Sequence, residues 1–419
     1  GPNTYGDYSA HEANALAKPY LDRAIALAPE AADTQAAQGR YAVLAADGRG
    51  VLSHFTKAVA ANPSYSDAVT WLAIFQDVFG RHREALATLR AGVQRDPLNW
   101  IMNDNYVGLL LEWHRFSEAE AVARQFEGLD HDRAEVMQSD VAEAEGHYAD
   151  ALRHSLEALR DNPGWRVGLA QVVDIADAAG LYREAQRLRA WHDCGVALAL
   201  AGAIDEAMSR GHACLARYSK DYYAHQEAAL LYLLAGHRDE ARKQLSLAWN
   251  MLKRGGKTER VFGVGPLVDF AALEKEAGES AMAAGLLAKV HDWLNKDQSD
   301  ASAAGLPENA GRIRDFGMLD IATGKTSRGL EELGKALDVS RPYRGMVLVP
   351  YALENSPVFD VVRDDPRFQA VVRRVKARQS SIRADILPVI CNWHYPKNGW
   401  HPLARTCKGF TNDPQATTG

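Results

Sequence analysis

A spacing that repeats every 34 residues constrains this chain more than any other feature. The stretch GRHREALATLRAGVQRDP, Gly80 to Pro97, returns as GHYADALRHSLEALRDNP at Gly146 to Pro163, and again as GHRDEARKQLSLAW from Gly236. Each copy holds a small or β-branched opener, a residue four later and another three after that. The set reads Ala17/Leu21/Ala24, Val51/Phe55/Ala58, Ala85/Leu89/Gly92, Ala119/Ala123/Phe126, Ala151/Ser155/Ala158, Ala207/Gly211/Cys214 and Ala241/Leu245/Ala248. The openers at 17, 51, 85 and 119 are each 34 apart, as are Pro29, Pro63 and Pro97 behind them; Pro163 plays the same part later. Steps of four and three fall on one helical face, and proline ends a helix.

Each unit is therefore a helix pair. The second member, helix B, carries the opener; helix A lies upstream with its own apolar residues, such as Trp71, Leu72 and Phe75, or Leu230, Leu231 and Leu234. Between them stand Gly80, Gly146, Gly180, Gly202, Gly236 and Gly324, each five residues before an opener, where glycine closes a helix in the left-handed conformation. A single pair cannot bury both of its faces, whereas stacked pairs bury each other's.

These residues closely resemble the tetratricopeptide repeat, from about Ala13 to Ala336 and most clearly from Ala17 to Pro163. The resemblance implies an all-α, right-handed superhelical solenoid of stacked antiparallel helix pairs. The step shortens to 32 at Ala151 and 22 at Ala207, and stretches to 48 between Ala281 and Gly329. The insertions KRGGKTERVFGVGP and NKDQSDASAAGLPENAG are expected to form loops, and the turn histidines His82, His147 and His237 to be exposed.

The segment YALENSPVFDVVRDDPRFQAVVRRV, Tyr351 to Val375, is similar to the one that closes the repeat array in bacterial signalling proteins carrying winged-helix, class III cyclase or kinase modules. Read from its residues, Asp365 caps a helix that starts at Pro366 and aligns Phe368, Val371, Val372 and Val375. The expected organisation is a leader at 1–12, an array of about seven pairs at 13–252, irregular pairs at 253–340, a capping segment at 341–380 and an irregular tail at 381–419. The opening Gly1-Pro2 has the form of residues left by a protease, so a fragment lacking its natural start is expected.

Composition and motifs narrow the chemistry. A net charge of −6 argues against a nucleic-acid binder, and no apolar run is long enough to span a bilayer. GKTS at Gly324 to Ser327 lacks the upstream glycine of a phosphate-binding loop, since position 319 is Leu. G-x-S-x-G, H-E-x-x-H and CxxC are absent. No cofactor is expected, and the chain reads as a non-enzyme.

Of the four cysteines, Cys194 and Cys214 read as buried helical thiols. Cys391 and Cys407 enclose an aromatic, proline-containing stretch and leave three alternatives: a disulfide, which leans toward a periplasmic or membrane-tethered setting over the cytoplasm; zinc held by Cys391, His394, His401 and Cys407; or free thiols.

In tetratricopeptide arrays helix A lines the concave face. Projected onto that pattern, Asp67, Asp77, Asp104, Glu112, Asp140, Glu143, Asp174 and Asp177 form an acidic groove suited to a basic or amine-bearing protein or peptide. The basic clamp of chaperone-binding relatives is missing, with Ala36, Thr70, Ile74 and Asp104 at its positions and only Arg40 basic. The expected function is an interaction scaffold or sensor, the C-terminal part of a bacterial signalling protein. The alternative is an enzyme or zinc module in the Cys/His tail.

Overall fold

The computed structural model describes residues 10–45, 47–188, 194–254, 263–339, 349–393 and 403–407. Among them the chain is an all-α solenoid of stacked helix pairs. After α1 (Ala10–Leu27), helices A and B alternate: α2 (Ala32–Ala45) and α3 (Gly48–Ala61), α4 (Ser66–Val78) and α5 (His82–Arg95), α6 (Trp100–Glu112) and α7 (Phe116–Glu127), α8 (His131–Ala144) and α9 (Tyr148–Ala158). The series continues with α10 (Arg166–Ala178) and α11 (Tyr182–Leu188), α12 (Val196–Leu200) and α13 (Ile204–Arg217), α14 (Tyr222–Leu234) and α15 (Arg238–Arg254). Then come α16 (Val264–Glu276) and α17 (Ser280–Ala304), and α18 (Ala310–Ala322) and α19 (Thr326–Val339). A short α20 (Pro350–Asn355), a 3₁₀ turn (Pro357–Val362) and the long α21 (Pro366–Asn392) come next, with a second 3₁₀ turn (Ala404–Cys407) after them.

The openers explain the pairing. Ala85, Ala119, Ala151, Ala185, Ala207 and Ala241 have no exposed surface, and at Gly329 a Cβ would come within 2.6 Å of the Gly317 carbonyl. Helices A and B therefore approach closely at that position, which takes small side chains, Val51 of α3 being the largest of the buried openers. Ala17 departs from the set and is exposed, because no helix A precedes α1 among the described residues. All six turn glycines have positive φ, from 73° at Gly180 to 86° at Gly324. The residue after each donates back to a carbonyl five positions earlier, as in Arg81 to Gln76 at 2.7 Å and His237 to Tyr232 at 2.8 Å. In the α6–α7 turn His114 takes the glycine's place at φ 54°.

Contacts also run between distant repeats at a nearly constant offset. Arg217 pairs with Glu12 at 2.9 Å, 205 residues apart, and Arg83 Nε donates to the Ala304 carbonyl at 3.0 Å, 221 apart; α21, which is not a repeat helix, also reaches back, Gln379 Nε2 donating to the Tyr182 hydroxyl at 2.9 Å. Six 34-residue units span 204 residues, so the stack coils back on itself about once every six units.

Three expectations are corrected. The second insertion is helical through Ala304, because its first glycine is Gly305 and the Lys296–Asp300 and Gln298–Ser302 pairs brace the helix at i, i+4. The tail is not irregular from 381: α21 runs to Asn392, since Ile382, Ile386, Val389 and Ile390 continue its apolar stripe past Pro388. Cys194 is not on a helix; it precedes the five-residue α12 and is bonded to Cys214, with Cα atoms 5.4 Å apart, within ordinary disulfide range.

The capping segment follows its sequence. The Asp365 carboxylate accepts from the Arg367 amide at 2.8 Å, and Phe368, Val371, Val372 and Val375 are buried with residues of α16 to α19. The second half of α21 packs on α9 and α10, where Ile382, Ile386, Val389 and Ile390 join Leu152, Leu156 and Leu159 in one core.

Candidate functional site

Curvature assigns the inner wall. Several successive A helices touch, α4 to α6, α6 to α8, α8 to α10, α12 to α14 and α16 to α18, while successive helices B make no comparable contact among the described residues. The layer whose members crowd together lies inside the bend, so the A helices form its inner layer.

The eight acidic residues divide into groups with different surroundings. Asp77, Glu143 and Asp177 each stand eight residues before an opener, and a ring-bearing residue stands three before it: His82, Tyr148 and Tyr182. Asp77 Oδ1 lies 2.7 Å from His82 Nδ1. The Tyr148 phenol is pushed well above its usual pKa by burial and then by the Glu143 carboxylate, with Arg378 of α21 drawing it back. Burial likewise raises Tyr182; the Gln379 hydrogen bond opposes the shift, and Asp177 adds to it. Each of these acids therefore faces its own A–B turn. His82 is accordingly largely enclosed, with 11% of its side chain exposed, whereas His147 and His237 are exposed as expected.

Asp140 and Glu143 have no accessible surface, and every residue from Ser139 to Ala144 is buried. Gln171 of α10 donates to Asp140 Oδ1 at 2.7 Å, which joins neighbouring A helices. In this form of the chain those two carboxylates cannot meet a partner. Asp67, half-exposed, is 3.5 Å from Arg40 of α2, whose guanidinium lies 5.9 Å from the centroid of the Trp71 ring. Glu112 is exposed, and Asp104 and Asp174 are partly accessible. Asp67, Asp104, Glu112 and Asp174 thus keep access to solvent on their A helices. The pairing of acid and ring at the turns was present in the sequence and could have separated the two groups.

In the tail, Cys391 and Cys407 are bonded, with Cα atoms 5.5 Å apart. This commits both thiols of the alternative zinc set to each other; His394 and His401 lie outside the described residues. Among the described residues no group of three or more His, Cys, Asp or Glu is arranged to hold a metal ion, and no helix is long and apolar enough to cross a membrane. Lys325 of GKTS pairs with Asp320 at 3.4 Å in an ordinary A–B turn.

What these residues define is a helix-pair solenoid with tetratricopeptide-like spacing. No family model matches the chain, and no curated protein matches it. Solved structures similar to it include a human IFIT1 dimer with m7Gppp-AAAA, at 15% identity and a TM-score of 0.39 over 78% of each chain. The APC/C hetero-tetramer Cut9–Hcn1 gives 12% and 0.40, covering 82% of this chain and 63% of that one. Yeast Tom70 gives 14% and 0.31, covering 95% and 85%. These are distant likenesses, and the architecture rests on the chain's own contacts.

Proposed function

We propose that the chain is a non-catalytic scaffold that holds a protein or peptide against the inner wall of its A helices, within a bacterial signalling or regulatory protein. The contact of one helix A with the next carries this reading, because it joins separate repeats into one pre-formed surface. Asp67, Asp104, Glu112 and Asp174 give that surface negative charge, which favours a basic or amine-bearing partner and weakens with salt.

The test is a pull-down from the native host with the unaltered chain and with Asp67→Lys, Asp104→Lys and Asp174→Lys combined. A partner that is lost on charge reversal while the helical circular-dichroism signal persists supports the proposal. A partner retained equally by both chains ends the acidic-wall reading.

A further inference from the structure

The place where one turn of the coil meets the next contains a cleft that the inner wall does not use. It has a volume of about 1270 Å³, and its walls are the start of α3, the α4–α5 turn and the last two turns of α17. These last turns belong to the 25-residue helix whose end reaches back to Arg83.

The lining is polar in a particular way. Its acids are already engaged: Asp47 accepts from the Gly50 amide at 3.0 Å, Glu84 faces Arg81 at 3.4 Å, and Asp300 holds Lys296 at 2.8 Å. Its cations are not all matched. Among the described residues Arg49 has no acidic partner, and Arg83 uses Nε on the Ala304 carbonyl while its two terminal nitrogens meet no described partner. A guanidinium with a free fork suits the paired oxygens of a phosphoryl or carboxyl group. Leu52 and Phe79 supply an apolar surface beside these cations, and the Phe79 ring lies tilted by 31° to Phe75 with centroids 6.3 Å apart. His82 also lines the cleft; with Nδ1 on Asp77, its buried Nε2 has no hydrogen-bond partner among the described residues, which costs stability unless another group meets it.

We infer that this cleft binds a small organic anion, a phosphomonoester or carboxylate with an aromatic or apolar body, whose oxygens take Arg49 and Arg83 and whose body lies on Leu52 and Phe79. Because the walls come from segments more than two hundred residues apart, an occupant also fastens successive turns of the coil together.

Calorimetric titration of the full chain with phenyl phosphate, benzoate and inorganic phosphate tests this. Phenyl phosphate or benzoate is expected to saturate one site, and the tighter of the two identifies the preferred anion; inorganic phosphate, lacking the apolar body, is expected to bind more weakly. Arg49→Ala removes no internal ion pair, so it should weaken binding about tenfold or more without lowering the melting temperature of the free chain. Lys335→Ala, on a cation paired with Glu308 elsewhere, should change nothing. Absence of saturation with all three probes at millimolar concentration, or equal affinity in Arg49→Ala and the unaltered chain, would overturn the inference. Inorganic phosphate binding as tightly as phenyl phosphate would remove the apolar body from it.

Discussion

The side-chain amide of Gln379 donates a 2.9 Å hydrogen bond to the hydroxyl of Tyr182, joining the last long helix to a repeat 197 residues earlier. It marks where α21 leaves the end of the stack and settles on its middle. Gly180 lies under the same side chain, and a Cβ there would come within 2.9 Å of the Gln379 amide carbon.

Ile386 has no exposed surface at this junction. Ile386→Ala is expected to cost about 2–5 kcal/mol, the range for deleting a buried branched side chain. Amide exchange should show the loss both in α21 and in α9, its partner across the junction. Destabilisation confined to α21 would mean that the two do not share a core.

Both cysteine pairs close short loops, with separations of 20 and 16 residues. Denatured but unreduced protein should show no titratable thiol, and reduction should release all four. Loop-entropy arguments put each crosslink at about 3 kcal/mol, so reductant should lower the melting temperature in two separable increments when each pair is replaced in turn.

Gly236 has φ 79° with nothing within 4 Å of a would-be Cβ, whereas Gly195, at φ 98°, has the Ala207 carbonyl at 2.5 Å. Gly236→Ala therefore tests backbone strain alone and should cost about 1–2 kcal/mol. Gly195→Ala adds a collision with main chain and should cost more. Equal unfolding midpoints for the two variants in urea would contradict this order.

Asp269 accepts hydrogen bonds from the Ser356 hydroxyl and the Val358 amide, yet burial pushes its carboxyl up to about 7, with the Asp360 charge adding to the rise. The folded chain therefore holds a proton that the unfolded chain releases near pH 4. This contribution is complete below the unfolded pKa and is lost as pH rises through about 7. Unfolding measured from pH 4 to 8 should show the unaltered chain losing stability relative to Asp269→Asn across that window. Parallel curves would show that the carboxyl titrates normally.

The repeat was legible because its spacing is imposed by close contact. Ala85, Ala119 and Ala151 are small where two helices cross, and Gly146 and Gly236 supply a backbone conformation that other residues resist. The cap at Asp365 and Pro366 was legible for the same reason, since its chemistry is local. Less was readable where the outcome depended on a distant partner. The stripe of Ile382, Ile386, Val389 and Ile390 implies a covered helix without naming α9 as its cover. Cys194 and Cys214 flank the shortened repeat, where the period that placed other residues gives no register. Less was legible of the acidic residues, because position on helix A does not say whether a carboxylate faces solvent or its own turn. The ring residues beside Asp77, Glu143 and Asp177 decide that.

The docking of α21 on α9 bears on how the chain is made. Leu152, Leu156 and Leu159 are complete long before Ile382 and Ile386 leave the ribosome. At about 5–20 residues per second, the stretch from Tyr182 to Gln379 takes on the order of 10–40 seconds to synthesise. Throughout that interval the nascent chain carries an uncovered greasy face in its middle. Chaperone capture during translation should therefore fall on α9, and α21, made about two hundred residues later, is the helix that releases it.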